Sequence, residues 1–230
     1  MNTKEHGKVE RRDFLKTAAT AATAFSILPA RTVFGLDANN KVEIGITGCG
    51  GRGSWIGRLF EQYGNAKVVA VHDYFKDRTD RAREMFDLAP ERCHNNLDGY
   101  KALVSGALDA VAVESPPYFH PIQAADSVAA GKHTYVAKPI AVDVPGCMTI
   151  EQSGQKATEK KLAFLIDFQT RANDFYIEAL KRVHSGAIGD FAFGESTYHA
   201  DIPWGGHMEA LANDPNNPEV QLRAWGMSQE

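Results

Sequence analysis

The stretch KVEIGITGCGGRGSWIGRLFEQYG, residues 41–64, decides the fold. Its first seven residues are short, apolar and β-branched, as a strand requires. A glycine cluster follows, and SWIGRLFEQYG then places apolar residues at helical spacing before closing on Gly64. Strand, glycine turn and helix in immediate succession open a βαβ unit.

The same alternation continues along the chain. AKVVAVHDYF (66–75) reads as a strand, RTDRAREMF (78–86) as a charged helix and LDGYKALVSG (97–106) as a short helix. DAVAVES (109–115) reads as a buried strand. PIQAADSVAAG (121–131) begins with Pro121 at the first helical position and stops at Gly131, the usual helix punctuation. HTYVAKPIAV (133–142) is the next strand, although Lys138 interrupts it and Pro139 follows at once. An ammonium at the end of a buried strand is costly unless something there needs it. CMTIEQSGQKATEKK (147–161) is a long helix and LAFLIDFQ (162–169) a strand. FYIEALKRVHSG (175–186) is an amphipathic helix, and DFAFGESTYHA (190–200) alternates as a strand does. Near-continuous apolar strands between helices mean a parallel sheet covered on both faces, with right-handed crossovers. The expected fold class is α/β, with a doubly wound parallel-sheet domain over residues 39–165. The closing NDPNNPEVQLRAWGMSQE is polar and proline-rich, an odd end for a core.

Composition excludes several classes. The chain has 230 residues, 43% hydrophobic and 23% charged, with a formal charge of −4. That is globular, with no basic stripe for nucleic acid. Cys49, Cys93 and Cys147 stand far apart, which supports neither a disulfide framework nor a zinc site.

The N-terminus differs in kind. Glu10-Arg11-Arg12-Asp13-Phe14-Leu15-Lys16 precedes the mildly apolar TAATAATAFSILPA, the pattern of a twin-arginine export signal over residues 1–38. The alternative is an amphipathic N-terminal helix on a cytosolic protein. The run is too short and too polar to span a bilayer. Without residues 1–38 the remainder carries a formal charge of −6. The expected location is therefore periplasmic or extracellular, with the export machinery as a partner. That route carries folded proteins, often with a cofactor already inside.

Gly48-Cys49-Gly50-Gly51-Arg52-Gly53 is G-x-G-x-x-G, placed between a strand and a helix, and Asp73 ends the next strand 20 residues beyond Gly53. Gly48 permits the turn, Gly50 lets the backbone approach a pyrophosphate and Gly53 lets helix and strand pack closely. The helix N-terminus offers N–H groups and partial positive charge to phosphates. Asp73 would accept the adenosine ribose hydroxyls and repel a 2′-phosphate, favouring NAD over NADP. The competing reading is a tight turn plus a surface aspartate. Arg52 either touches phosphate or lies in solvent. Loops at strand carboxyl ends line the ligand crevice of such sheets, and both Ser115-Pro116-Pro117-Tyr118-Phe119-His120 and Lys138 sit at such ends.

Taken in order, GCGGRG at 48–53, Asp73, Ser115-Pro116 with His120, Ala137-Lys138-Pro139 and Gly186-Ala187-Ile188-Gly189 resemble the Gfo/Idh/MocA oxidoreductases. The resemblance covers about residues 41–200. It implies a Rossmann domain followed by an open-sheet α/β domain, incomplete here over residues 166–230, whose face closes the active site. It implies hydride transfer between a nicotinamide and a carbon of a sugar, polyol or similar hydroxylated substrate. Lys138 would lie near the nicotinamide and the reacting oxygen, hydrogen-bonding the forming alkoxide and taking part in proton transfer; its alternative is a snorkelling surface lysine. Gly48, Gly50, Gly51, Arg52, Gly53, Asp73, Ser115, Pro116, His120 and Lys138 form the implied cofactor site. His120 is either a crevice residue or a loop histidine beside a helix start.

The chain departs from the family pattern in two ways. Ala137 stands where the family usually has glutamate. The chain also stops soon after Trp225, so the resemblance implies a truncated member without the second-domain histidine that commonly acts as acid/base; His184, His199 and His207 match no such motif. Family members usually associate through the second-domain sheet. The leading expectation is an exported NAD-dependent oxidoreductase with retained cofactor. The alternatives are an NAD-dependent glycoside hydrolase of the same family and a cofactor-binding fragment without turnover.

Overall fold

The computed structural model describes residues 41–197, 199 and 205–224. The export segment read over 1–38 lies outside the described residues. Six strands, β1 Val42–Thr47, β2 Ala66–His72, β3 Cys93–His94, β4 Ala110–Val113, β5 His133–Val136 and β6 Phe164–Ile166, form one sheet in the order β3-β2-β1-β4-β5-β6. β1 pairs with β4, β2 with β3, β4 with β5 and β5 with β6, all in parallel. This is the doubly wound Rossmann order, and the strand order reverses between β1 and β4.

The connecting helices are α1 Gly51–Tyr63, α2 Lys76–Phe86, α3 Gly99–Ser105, α4 His120–Ala129 and α5 Val144–Glu159. Alternation along the strands builds two cores. Val111, Val113 and Val136 pack with Leu103, Val104 and Ile150 on one face. Ala112 turns to the other face with Ile44, Ile46, Val68 and Phe86. Burial on both faces is why these strands read as unbroken apolar runs. α1 lies unusually close to β1, because a Cβ on Gly57 would stand 2.5 Å from Ile46 and 2.7 Å from Phe86.

Past the sheet come α6 Asp174–His184, α7 Gly205–Asn213 and α8 Pro218–Arg223. α8 packs back on the sheet end: Arg223 sits 4.0 Å over the Phe75 ring and pairs with Asp77 at 2.9 Å.

The structure differs from the sequence expectation at three places. Residues 190–197 form no strand. Alternation gives a strand only where a neighbour pairs its backbone, and no described strand lies beside this segment; Phe191 and Phe193 are 67% and 82% exposed. Within the polar, proline-rich end, Pro218–Arg223 form α8, because Asn217 caps it by accepting from the Glu219 N–H. β5 ends at Val136, so Lys138 lies beyond the strand on an exposed turn and bears no burial cost.

Candidate active site

The carboxyl ends of β1, β2, β4 and β5 open into one crevice of about 910 Å³. Its floor is the turn from β1 to α1. Gly48 has φ +88°, and a Cβ there would meet the Glu114–Ser115 backbone at 2.5 Å. A Cβ on Gly53 would lie 1.9 Å from the Gly48 carbonyl oxygen, so these two glycines are required by the turn itself. Gly50 and Gly51 face open space instead: a Cβ on Gly50 meets only the tip of Arg78 at 3.9 Å, and one on Gly51 meets nothing within 4 Å. α1 starts at Gly51 without a side-chain cap or an acidic residue in its first turn. Its first N–H groups and its dipole are left for an anion. A bare backbone floor at a helix N-terminus, within a crevice of this size, fits a dinucleotide pyrophosphate.

At one end of the crevice stands Asp73, 5% exposed. It accepts the Cys49 N–H at 2.8 Å and the Phe75 N–H at 2.9 Å. It thus braces the glycine turn while its remaining lone pairs stay available to ribose hydroxyls. Arg78 stacks 4.8 Å from the Phe75 ring and brings Nη1 within 3.9 Å of Asp73. Cys49 is buried, and burial together with the Asp73 charge raises its pKa, which leaves an inert thiol.

The opposite wall is the pair of loops after β4 and β5. His120 is 1% exposed, with Nδ1 2.7 Å from the Pro139 carbonyl oxygen and Nε2 2.6 Å from that of Ser115. Burial lowers its pKa although both carbonyls oppose the shift. Its ring lies between the two loops, the N–H donating to one of the two carbonyls according to the tautomer, and so positions the turn that carries Lys138. Ser115 and Thr47 both donate to Gln123 Oε1, at 2.7 and 2.9 Å. Gln123, buried in α4, therefore ties β1 to the loop after β4. Lys138 lines the crevice, exposed and with no hydrogen bond or ion pair among the described residues.

The structure brings every sequence-predicted residue to this one crevice, Pro116 and Gly51 included. Arg52 lines the crevice with its side chain partly exposed, and it is ion-paired with Glu114 and Asp167. Glu114, whose side chain is fully buried at the end of β4, has its pKa pushed up to about 7 by burial, with Arg52 opposing the shift. Glu114, Gln123, Asp167 and His207 were missed. His207, in α7, also lines the crevice, and no motif announced it. No cluster of metal-ligating side chains occurs among the described residues.

A strand-end crevice with a glycine floor and an acidic ribose position is that of a nicotinamide dinucleotide-binding protein. The sequence profile of the Gfo/Idh/MocA oxidoreductases, with their NAD-binding Rossmann fold, matches residues 42–166, and the chain belongs to this family. It is 34% identical to an inositol 2-dehydrogenase of Burkholderia cenocepacia over 150 residues, covering 64% of this chain and 43% of that protein. A glycosyl hydrolase family 109 protein of Solibacter usitatus is 25% identical over 208 residues, 85% of this chain and 47% of the relative. The fold superposes on a scyllo-inositol dehydrogenase of Lactobacillus casei with bound NAD(H) and scyllo-inositol at TM-score 0.54 and 28% identity, covering 65% of this chain and 43% of that one. The chain spans about half the length of the curated relatives it matches.

Proposed function

We propose that this chain holds NAD in the strand-end crevice and serves hydride transfer on a sugar, polyol or related hydroxylated substrate. When bound, the nicotinamide supplies or accepts the hydride. The observation that carries this reading is the convergence on one crevice of an open glycine floor, a buried ribose acceptor at Asp73 and an unpartnered ammonium at Lys138. Gly50, Gly51 and the α1 N–H groups bind the pyrophosphate. Asp73 orients the adenosine ribose. Lys138 meets the reacting oxygen, stabilising negative charge there and holding a proton at that atom. His120 positions the Lys138 turn through Pro139 and touches no reactant. The paired arginines near the N-terminus support a reading in which the protein is exported with the cofactor already bound.

A second reading is favoured by the hydrolase-named relatives, whose similarity covers more of the chain than the dehydrogenase's. In it the same hydride step oxidises and re-reduces one sugar carbon, with glycoside cleavage and no net redox change. Absorbance at 340 nm with a panel of sugars and inositols, set against aglycone release from nitrophenyl glycosides, separates the two. A steady rise at 340 nm without aglycone supports the oxidoreductase. Aglycone release without NADH build-up overturns it.

A further inference from the structure

One residue beyond the paired positions Val113, Val136 and Ile166, strands β4, β5 and β6 run out into Glu114, Ala137 and Asp167. The ladder continues that far, since Ala137 N–H donates to the Val113 carbonyl and Asp167 N–H to that of Val136. Side chains in register point to one face of a sheet, so the three residues form a row. The row faces α1: the Glu114 Cβ lies 3.2 Å from where a Cβ on Gly53 would stand. Arg52, the second residue of α1, places Nε 3.2 Å from Glu114 Oε2 and pairs through Nη2 with Asp167 Oδ2. Its guanidinium reaches both ends of the row, and the central residue, Ala137, is a single methyl. A glutamate at 137 would add a third carboxylate between the two that already share one cation.

The row is short of positive charge. Glu114 has no exposed side-chain surface, and Arg52 is the one cation paired with its carboxylate among the described residues. The groups facing it are Arg52 from α1, Tyr135 from β5 and Asp167 beyond β6. Lys138 lines the same crevice but makes no ion pair with it. With both carboxylates ionised, the row holds two negative charges against one positive, directly beneath the turn that receives the pyrophosphate. Bringing two more negative charges there is costly unless one leaves.

Resting on the assignment of this crevice to the dinucleotide, we propose that Glu114 is a positioning residue that takes up a proton as the pyrophosphate docks on α1. Its protonation leaves Arg52 and Asp167 as a balanced pair that holds the glycine turn to the ends of β4 and β6. The proton comes from solvent, and no bond other than the carboxyl O–H forms. Cofactor binding is thereby coupled to pH through a residue that touches neither the cofactor nor the substrate.

The test is calorimetric titration of the 230-residue chain with NADH at pH 7.5, in buffers of low and high ionisation enthalpy. The expected result is uptake of about half a proton per NADH for a one-unit rise in the Glu114 pKa on binding, with affinity weakening about sevenfold between pH 6.5 and 9. Glu114→Gln should bind NADH with no such uptake and a flat profile. Arg52→Gln reads the same point independently, since removing the cation leaves Glu114 already neutral at pH 7.5 and abolishes the uptake. NADH binding without uptake in the wild type, or with the same uptake in both variants, overturns the proposal and leaves the cofactor site standing. Absence of NADH binding to the wild type overturns both.

Discussion

Replacing Glu114 by glutamine tests the buried charge row through stability alone. The Glu114 pKa is raised from its ordinary 4.5 to about 7, chiefly by burial. The folded state therefore holds this proton over a range where the unfolded chain has released it. Stability falls as pH rises from about 4.5 through 7, and the full cost is present above 7. At 1.36 kcal/mol per unit, the shift corresponds to about 3 kcal/mol. Glu114→Gln cannot release a proton, so its stability relative to wild type should climb by about 3 kcal/mol between pH 4.5 and 8. His72 and His120, whose pKa values burial lowers, act in the opposite sense in both proteins and cancel in the difference. The assay is urea unfolding of both proteins at half-unit steps of pH, comparing midpoints and slopes. A difference that stays flat across the window would refute the reasoning, because Glu114 would then titrate alike in the folded and unfolded chains.

Other substitutions probe the rest of the crevice. Asp73→Ala removes the acceptor of the Cys49 and Phe75 N–H groups as well as the ribose contact. It should weaken NADH binding at least about tenfold and cost about 2 kcal/mol of stability, read by fluorescence titration and urea unfolding. Gly53→Ala forces a Cβ to within 1.9 Å of the Gly48 oxygen; it should destabilise the chain by about 3 kcal/mol or more and abolish NADH binding. Lys138→Met should leave NADH affinity within about twofold while slowing single-turnover hydride transfer about 100-fold or more at 340 nm. Equal loss of both would make Lys138 a cofactor ligand only.

The sheet was legible because buried parallel strands are written as continuous apolar runs: β1, β2 and β4 stand out as IGIT, VVAVH and AVAV. The glycine turn was legible because steric exclusion leaves no other residue at Gly48 and Gly53. Asp73 followed from its place at the end of β2. Other features had no local signal. β3 is two residues long, Cys93 and His94, and exists only because β2 offers an edge. Residues 190–197 carry the strand period without a partner. The row Glu114–Ala137–Asp167 arises from register across three strands, far apart in sequence, and Arg52 joins it from a fourth element. Ala137, read from sequence as a missing acid beside Lys138, stands between two carboxylates placed on the flanking strands. Lys138 was picked out for a burial it does not have: its strand ends two residues earlier, and its exposed turn lines the crevice.

A crystal structure of the chain with NADH would show whether the strand-end crevice is the dinucleotide site. The pyrophosphate should lie over Gly50 and Gly51 at the start of α1, the adenosine ribose on Asp73, and the nicotinamide beside Lys138 with Arg52 still joined to Glu114 and Asp167. Density for NADH elsewhere, or a pyrophosphate held by Arg52 swung away from that row, would contradict it.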